Sequence, residues 1–340
     1  MEITPYSSLL QDIKLAIRKA QVRATFAVNA EMILLYWETG KMIAERQSQE
    51  GWSSKVIPNL AKDLKNEFRD LKGYSERNMG YMLRFAKEYP DKSILQQAVA
   101  KLPWGHNIIL IEKEKDLQTR IWYAQQCIEN QWSRDALANQ IKNKLYDRQG
   151  KAISNFSNTL PEAFSALAQQ ALKDPYIFDF LSLDTDYREK DIENQLIQHV
   201  SKFLLELGKG FAFVGQQFHL KLAENDYYLD LLFYHTRLKC YVVIELKNTK
   251  FQPEYTGKLN FYLSAVDSLV KMPDDNPTIG LLLCKEKNTI EAEFALRDIN
   301  KPIGVSEYLI AENLPENLKS SLPTIDELEN EFIDPKDFSK

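Results

Sequence analysis

The spacing of apolar residues changes near residue 150, and this change limits the folds open to the chain. Before it, apolar residues recur three and four positions apart, which predicts helices. These helices are expected over 8–24, 31–46, 57–68, 75–89, 116–127 and 133–144. After it, runs rich in Val, Ile, Leu, Phe and Tyr alternate with helical stretches. We therefore expect an all-α N-terminal domain and a C-terminal domain built around a sheet.

Polar turn residues mark the division between the two halves. The helical pattern lapses around Gly150 and again at 154–158, and Pro161 and Pro175 bracket a short helical stretch. A chain of 340 residues also suits two domains of ~100–200 residues each. We expect four segments: a helical domain over 1–150, a linker with a short helix over 151–181, a sheet-containing domain over 182–311 and an acidic tail over 312–340.

The second half has the order helix, three strands, helix, strand, helix, strand. One helix is predicted over 190–208, where Gly208 ends the apolar stripe. The later helices are predicted at 256–270 and 289–296, and the strands at 211–222, 227–234, 239–246, 278–284 and 303–310. This order predicts an α/β arrangement around one mixed sheet, so that the whole chain is an α+β or α/β protein of two domains.

Composition excludes several protein classes. The three cysteines have no CxxC spacing, which argues against a zinc site and a disulfide framework. No apolar stretch approaches the ~18–20 residues that span a bilayer, and the first residues lack the pattern of a secretory signal. We therefore expect a cytoplasmic protein with no membrane partner.

The net charge of −5 is unevenly divided along the chain. Residues 1–150 contain 23 Lys and Arg against 18 Asp and Glu, whereas the remainder contains 20 against 30. An excess of basic residues in the first half is compatible with binding a polyanion, although an ordinary solvated surface has the same composition.

Three polar residues interrupt two strands that are otherwise apolar. Asp230 lies within Tyr-Tyr-Leu-Asp-Leu-Leu-Phe-Tyr, and Glu245 and Lys247 end the next strand. Residues two apart in a strand point to one face, so a hairpin of these strands would bring Asp230 to Glu245. Two close carboxylates repel without a cation between them, and their oxygens suit Mg²⁺ or Mn²⁺. A lone Glu-x-Lys is usually a solvated pair, so the prediction depends on the combination.

These residues and the element order resemble the PD-(D/E)XK nuclease superfamily, in which an Asp and a Glu-x-Lys end neighbouring strands of an αβββαβ core. Nearly the whole chain also resembles the YhcG-type nucleases. That resemblance is carried by Leu-Pro-Trp-Gly-His (102–106), Asp-Pro-Tyr-Ile-Phe-Asp-Phe-Leu (174–181), Ile-Glu-Leu-Lys (244–247) and Gly-Lys-Leu-Asn-Phe-Tyr-Leu (257–263). Two residues depart from the superfamily pattern: Leu229 replaces the Pro before the acid, and Lys258 replaces the Gln of a Gln-x-x-x-Tyr motif.

The resemblance implies a Mg²⁺- or Mn²⁺-dependent endonuclease acting on DNA, including branched or foreign DNA, without an organic cofactor. It implies that Asp230, Glu245 and the Leu246 carbonyl hold the metal, with Glu193 of the preceding helix completing the site. Lys247 would orient or deprotonate the attacking water. We favour the orienting role, because a lysine normally titrates near ~10.4.

Candidates for phosphate contact lie on either side of the two acidic strands. The resemblance implies this role for the helix that carries Lys258 and Tyr262. Gln216 and its neighbour Gln217 could also reach the phosphate, although exposed amides on an edge strand fit the pattern equally well. The alternative to an enzyme is a module that binds nucleic acid or protein through the helical half and keeps an inactive nuclease-like scaffold.

The helical half contains a pair of helices resembling a helix-turn-helix, over 56–69 and 75–89, with Ser75 as the predicted cap of the second. Any two amphipathic helices joined by a short turn look similar. The segment 102–111 would form a wing or the start of a helix. The same half could instead form a homodimer. The second helix would present these side chains to DNA: Arg77, Asn78, Tyr81, Arg84 and Lys87.

Overall fold

A computed structural model describes residues 5–50, 56–68, 72–181, 183 and 187–310. The chain divides into two compact units, Met1–Lys142 and Asn143–Lys340. The predicted acidic tail over 312–340 lies outside the described residues. Across the residues that are described, no helix is both long and apolar enough to cross a membrane.

The described part of the first unit is helical, which confirms the all-α prediction. A single 3₁₀ turn, Val99–Lys101, lies between its fourth and fifth helices. The helices are α1 (Pro5–Glu50), α2 (Val56–Glu67), α3 (Glu76–Glu88), α4 (Lys92–Gln97), α5 (Trp104–Lys113), α6 (Leu117–Asn130) and α7 (Arg134–Lys142).

One feature of this unit differs from the sequence expectation. The helices expected over 8–24 and 31–46 are one continuous helix of 46 residues, because the intervening Thr-Phe-Ala-Val-Asn-Ala contains no Gly or Pro to end it. Of the two alternatives for the segment 102–111, the start of a helix is confirmed, because α5 begins at Trp104. The predicted cap is confirmed, since the Ser75 side chain accepts a hydrogen bond from the Asn78 amide at 3.3 Å.

A small apolar core joins α1, α2 and α3. Tyr36 and Ile43 of α1 pack with Ile57 of α2 and with Met79 and Met82 of α3. The backbones of α1 and α3 approach closely, because α1 carries a glycine, Gly40, where it meets Met82. The side chains that fill this core therefore fix α3 against the long helix.

The second unit begins with short elements and continues with the predicted series. The short elements are α8 (Leu145–Arg148), β1 (Ile153–Ser154), α9 (Phe156–Thr159), α10 (Glu162–Ala171) and β2 (Tyr176–Phe178). The series is α11 (Glu189–Gln198), α12 (Val200–Leu207), β3 (Phe211–Leu222), β4 (Asn225–His235), β5 (Cys240–Lys250), α13 (Glu254–Leu269), β6 (Ile279–Glu286), α14 (Thr289–Leu296) and β7 (Ile303–Ile310).

The strands form one mixed sheet in the order β1-β7-β6-β5-β4-β3, and β2 also pairs with β7. The strands β3, β4 and β5 are antiparallel neighbours, whereas β5, β6 and β7 run parallel. The segment 151–181, expected to be a linker with a short helix, contains a helix as α10 and also supplies β1 and β2, which pair with β7. Tyr176, Ile177 and Phe178 of β2 are all buried. Burial of these apolar side chains is the physical reason that the segment packs into the domain instead of serving as a linker.

Helices cover both faces of the sheet and confirm the α+β fold with an αβββαβ core. One core contains α11 and α12 residues together with Leu231, Ile244 and Leu246. The other contains α13 and α14 residues together with Leu232 and Val243. The helix predicted over 190–208 is divided at His199, whose backbone leaves the helical region and whose ring packs on Phe180.

Candidate active site

Asp230 and Glu245 lie where β4 and β5 stop pairing. The last paired residues are Leu231 and Ile244, so the two acids occupy the next position on each strand. A hydrogen bond of 2.9 Å from the Leu246 amide to Asp230 Oδ2 holds the strands together at this point. Both acids are buried, Asp230 with 8% of its surface exposed and Glu245 with none. The hairpin pairing expected from the sequence is therefore present.

Lys247 lies beside Glu245, as the two-residue spacing predicts. Its Nζ is 3.1 Å from Glu245 Oε1 and donates a hydrogen bond of 2.9 Å to the Leu246 carbonyl. It also contacts Glu189 Oε2 of α11 at 3.2 Å. Three oxygen partners therefore fix this ammonium group next to the acids.

A second ammonium group reaches Glu245 from the opposite helix. Lys258 Nζ of α13 lies 2.5 Å from Glu245 Oε1, the oxygen that also contacts Lys247. The other oxygen, Glu245 Oε2, is buried and has no hydrogen-bond partner among the described residues. Tyr262, one helical turn after Lys258, is also buried, and the Lys258 ammonium lies 5.2 Å from the centre of its ring.

Glu193 of α11 completes the acidic group from the helix side. It is buried, and Gln217 Nε2 of β3 donates a hydrogen bond of 2.7 Å to its Oε2. Gln216 contacts Asn194 of the same helix at 3.0 Å. Gln217 lies between the pairs Gln216–Leu231 and Phe218–Leu229, and therefore opposite Asp230.

Burial and mutual repulsion disturb the charges of the acids. Burial raises the pKa of Asp230 to about 7, and the neighbouring Glu245 carboxylate adds to the rise. Burial also raises the pKa of Glu193, with the Gln217 hydrogen bond working against it. Asp230 and Glu193 therefore hold their protons more strongly than solvated carboxyl groups do, because burial outweighs the partners that favour their charged forms.

The pKa of Lys247 shifts upward. Burial works to lower it, but the carboxylates of Glu245 and Asp230 outweigh burial and raise the pKa above its ordinary value. The ammonium form is therefore strongly favoured. This agrees with a lysine that orients water and neutralises charge rather than one that removes a proton.

The residues present fit a divalent cation such as Mg²⁺ or Mn²⁺. Hard oxygen donors converge from Asp230, Glu245 and the Leu246 carbonyl, and the unpartnered Glu245 Oε2 is an acceptor in need of a cation. In the described ranges no three His, Cys, Asp or Glu side chains are already arranged to hold a metal. Lys247 and Lys258 both contact Glu245 Oε1 and supply positive charge at this point.

The structure separates the candidate DNA-contacting residues of α3 into two groups. Asn78 is 3% exposed and accepts a hydrogen bond from Trp104 Nε1 at 2.6 Å, so its assignment to a DNA contact is wrong. Asn78 is buried because it lies one helical turn before Met82, on the buried face of α3. Arg84 is exposed, but its Nη2 donates to the Ile111 carbonyl at 2.6 Å. The candidates left with exposed side chains are Arg77, Arg84 and Lys87.

Tyr81, the remaining candidate on α3, is half-buried, and its hydroxyl donates to Glu112 Oε1 at 2.5 Å. Of the candidates on α3, the three with exposed side chains are therefore all basic, rather than the mixed set expected from the sequence.

Sequence reasoning missed Glu189 and undervalued Gln217. Glu189 stands four residues before Glu193, a helical repeat that would have placed both on one face had α11 been predicted to start one residue earlier. Gln217 has a left-handed backbone, with φ 47°, which side chains other than glycine rarely adopt. No signal in the residue types predicts that conformation.

Two comparisons with protein families cover most of the chain. Residues 169–323 match a family described as the YhcG PDDEXK nuclease domain, and residues 12–148 match one described as the DUF1016 N-terminal domain. A curated protein of Escherichia coli (strain K12), "Putative nuclease YhcG", is 31% identical over 341 residues, covering 89% of this chain and 90% of that protein.

Two solved structures align with part of the chain. A repair endonuclease from Pyrococcus abyssi covers 37% of this chain and 48% of its own, at 15% identity and a TM-score of 0.26. The alignment with a structure described as an EndoMS-dsDNA2 complex covers 38% of this chain and 48% of the chain in that structure, at 14% identity and a TM-score of 0.26. At that TM-score neither alignment bears on the function of this chain.

Proposed function

The chain belongs to the YhcG family of PDDEXK nucleases, and we propose that it is a Mg²⁺- or Mn²⁺-dependent endonuclease that hydrolyses DNA phosphodiester bonds. One observation carries the proposal. Asp230 and Glu245 come from adjacent strands to one buried point, with Lys247 beside them and one Glu245 oxygen without a partner. Such a group in an apolar sheet is costly to keep unless a cation and a substrate use it.

In this proposal the acids hold the ion and the lysine handles water. Asp230, Glu245 and the Leu246 carbonyl would bind the divalent ion, and Glu193 would complete its shell or recruit a second ion. When bound, the ion would neutralise the phosphoryl oxygens and make water more acidic. Lys247 orients the attacking water and stabilises the negative charge that develops on the phosphate, which its raised pKa supports.

We propose that both units contribute residues that bind the nucleic acid. Lys258 and Gln216 are the candidates near the cleavage site, and Gln216 is partly buried. Tyr262 is buried, so its proposed part is to support Lys258 through its ring rather than to contact phosphate directly. The exposed Arg77, Arg84 and Lys87 of α3 would contact phosphates, because counterion release by basic side chains provides most of the affinity for DNA. DNA is preferred to RNA by the resemblance to the superfamily, and branched or foreign DNA is the expected form.

A homodimer is proposed for the assembled enzyme. The first half of α1 exposes large apolar side chains, including Leu9, Ile13 and Ile17. Helices of this kind associate readily in water, and two active sites suit the cutting of two strands.

The test is a nicking assay with purified protein on supercoiled and branched DNA. Nicking is expected with Mg²⁺ or Mn²⁺, and Asp230→Ala and Glu245→Gln are each expected to abolish it. Binding without nicking, in wild type and variants alike, would instead support a binding module with an inactive scaffold. The same assay on structured RNA decides between the two nucleic acids.

A further inference from the structure

Glu245 has two ammonium neighbours on one of its oxygens and none on the other. Lys258 Nζ lies 2.5 Å and Lys247 Nζ 3.1 Å from Oε1. Oε2 is buried without a hydrogen-bond partner among the residues that the structure describes. Because this side chain is fully buried, it needs compensating positive charge at all times.

The two lysines are held to very different degrees. The Lys247 side chain is 9% exposed, and Glu189 Oε2 and the Leu246 carbonyl fix it in addition to Glu245. The Lys258 side chain is 46% exposed, and its other contact with the site is the ring of Tyr262. Rotation of its flexible stem would carry the Lys258 ammonium from Glu245 into solvent.

We propose that Lys258 is a displaceable counter-cation: it neutralises Glu245 while no divalent ion is bound, and it competes with the ion for this carboxylate. The inference rests on the proposed function, because the ion site is part of that function. The family pattern has a neutral glutamine at this position, which would offer the ion no electrostatic competition.

A regulatory consequence follows for the same site. A phosphodiester near the ion gives the displaced ammonium a new anionic partner. The ion and an anionic substrate therefore support each other's binding, and the free protein binds the ion weakly. A lysine that served only as a structural ion pair would have no such effect, because its removal would weaken the fold without improving ion binding.

The experiment is a calorimetric titration of the full chain with Mn²⁺ alone, with no nucleic acid present. Lys258→Gln and Lys258→Met both remove the charge, whereas Lys258→Arg keeps it. Lys250→Gln is the matched control. Lys250 is the last residue of β5, but its side chain is 78% exposed and pairs with Glu286 rather than with Glu245. Thermal unfolding by circular dichroism checks that each variant folds.

We expect the two neutral variants to bind Mn²⁺ about tenfold more tightly than wild type, and the arginine and control variants to bind it as wild type does. Equal Mn²⁺ affinity in wild type and both neutral variants would overturn the inference and leave the nuclease proposal intact. Weaker binding in the neutral variants would also overturn it, by making Lys258 a support for the site. If no form binds Mn²⁺, the nuclease proposal itself fails.

Discussion

The surroundings of Asp230 disfavour its negative charge. Its carboxylate is buried beside Glu245, and its pKa is raised to about 7. A raised pKa means that the folded state holds the proton more strongly than the unfolded state. The contribution of this group to stability is therefore present below about pH 4 and is lost as the pH rises to 7.

This linkage predicts that Asp230→Asn stabilises the metal-free protein. The amide keeps an acceptor for the Leu246 amide but carries no charge. We expect the free energy of unfolding to rise by ~2–4 kcal/mol at pH 8 and by less at pH 5. Denaturant titrations in the presence of a chelator measure it.

Asp267→Asn is the matched control with the opposite sign. Burial works to raise the pKa of Asp267, but its hydrogen bonds with Lys301 and Thr278 lower it. The Asn variant should therefore lose stability at pH 8. If Asp230→Asn also loses stability at pH 8, the repulsion between Asp230 and Glu245 is absent.

A second prediction concerns Gln217, which positions Glu193. Its hydrogen bond lowers the pKa of Glu193 against the effect of burial, so Gln217→Ala should raise that pKa further. We expect nicking to fall about tenfold at pH 6 and the acid side of the pH–rate profile to move to higher pH. Gln198→Ala, an exposed amide at the end of the same helix, should leave the profile unchanged. A uniform loss of rate without a shifted profile would make Gln217 merely structural.

At this scale the sequence predicted the acids and the lysine but not their supports. Asp230, Glu245 and Lys247 stand out because they interrupt apolar strands, where alternation fixes the face of each side chain. The role of Gln217 depends on a left-handed backbone in β3, which the residue type does not reveal. Asn78 was misassigned because a polar residue can occupy a buried helical position when its partners, here Trp104 and the Gly73 carbonyl, satisfy it.

At the scale of elements, the boundaries that could be predicted are those marked by a glycine or by a capping residue. The bounds of β3, α14 and β7 were predicted to the residue. Glycine precedes β3, and an asparagine side chain caps α14. The pairing of β1 and β2 with β7 joins residues more than 100 positions apart, and strands of two and three residues carry too little periodicity to predict.

The close approach of α1 and α3 leads to a prediction for Gly40. A Cβ atom at this position would lie 1.9 Å from the Met82 carbonyl oxygen, which is backbone and cannot rotate away. We expect Gly40→Ala to lower the free energy of unfolding by about 3 kcal/mol or more, as measured by denaturant titration.

Gly80→Ala on α3 is the control. A Cβ there meets no atom within 4 Å, and alanine favours the helix, so this variant should gain about 1 kcal/mol. A neutral Gly40→Ala would mean that α1 and α3 do not pack in this way.

For the whole molecule, we propose that the second unit cleaves DNA and that the first unit contributes to binding it. The double variant Arg77→Ala/Lys87→Ala should bind duplex DNA less tightly at every sequence. The slope of log affinity against log salt concentration should be smaller in magnitude by about 1–2 than in the parent protein. Fluorescence anisotropy in the Asp230→Asn background avoids cleavage, and Lys41→Ala on α1 is the control. An unchanged slope would remove α3 from the DNA interface.

Cleavage by this site requires a cation between the carboxylates of Asp230 and Glu245. Crystals soaked in Mn²⁺ and measured at an energy where manganese scatters anomalously test this directly. We predict an anomalous peak within bonding distance of Asp230, Glu245 and the Leu246 carbonyl, with Lys258 moved away from Glu245. A site without a peak, in which both lysines still contact Glu245, would contradict the account.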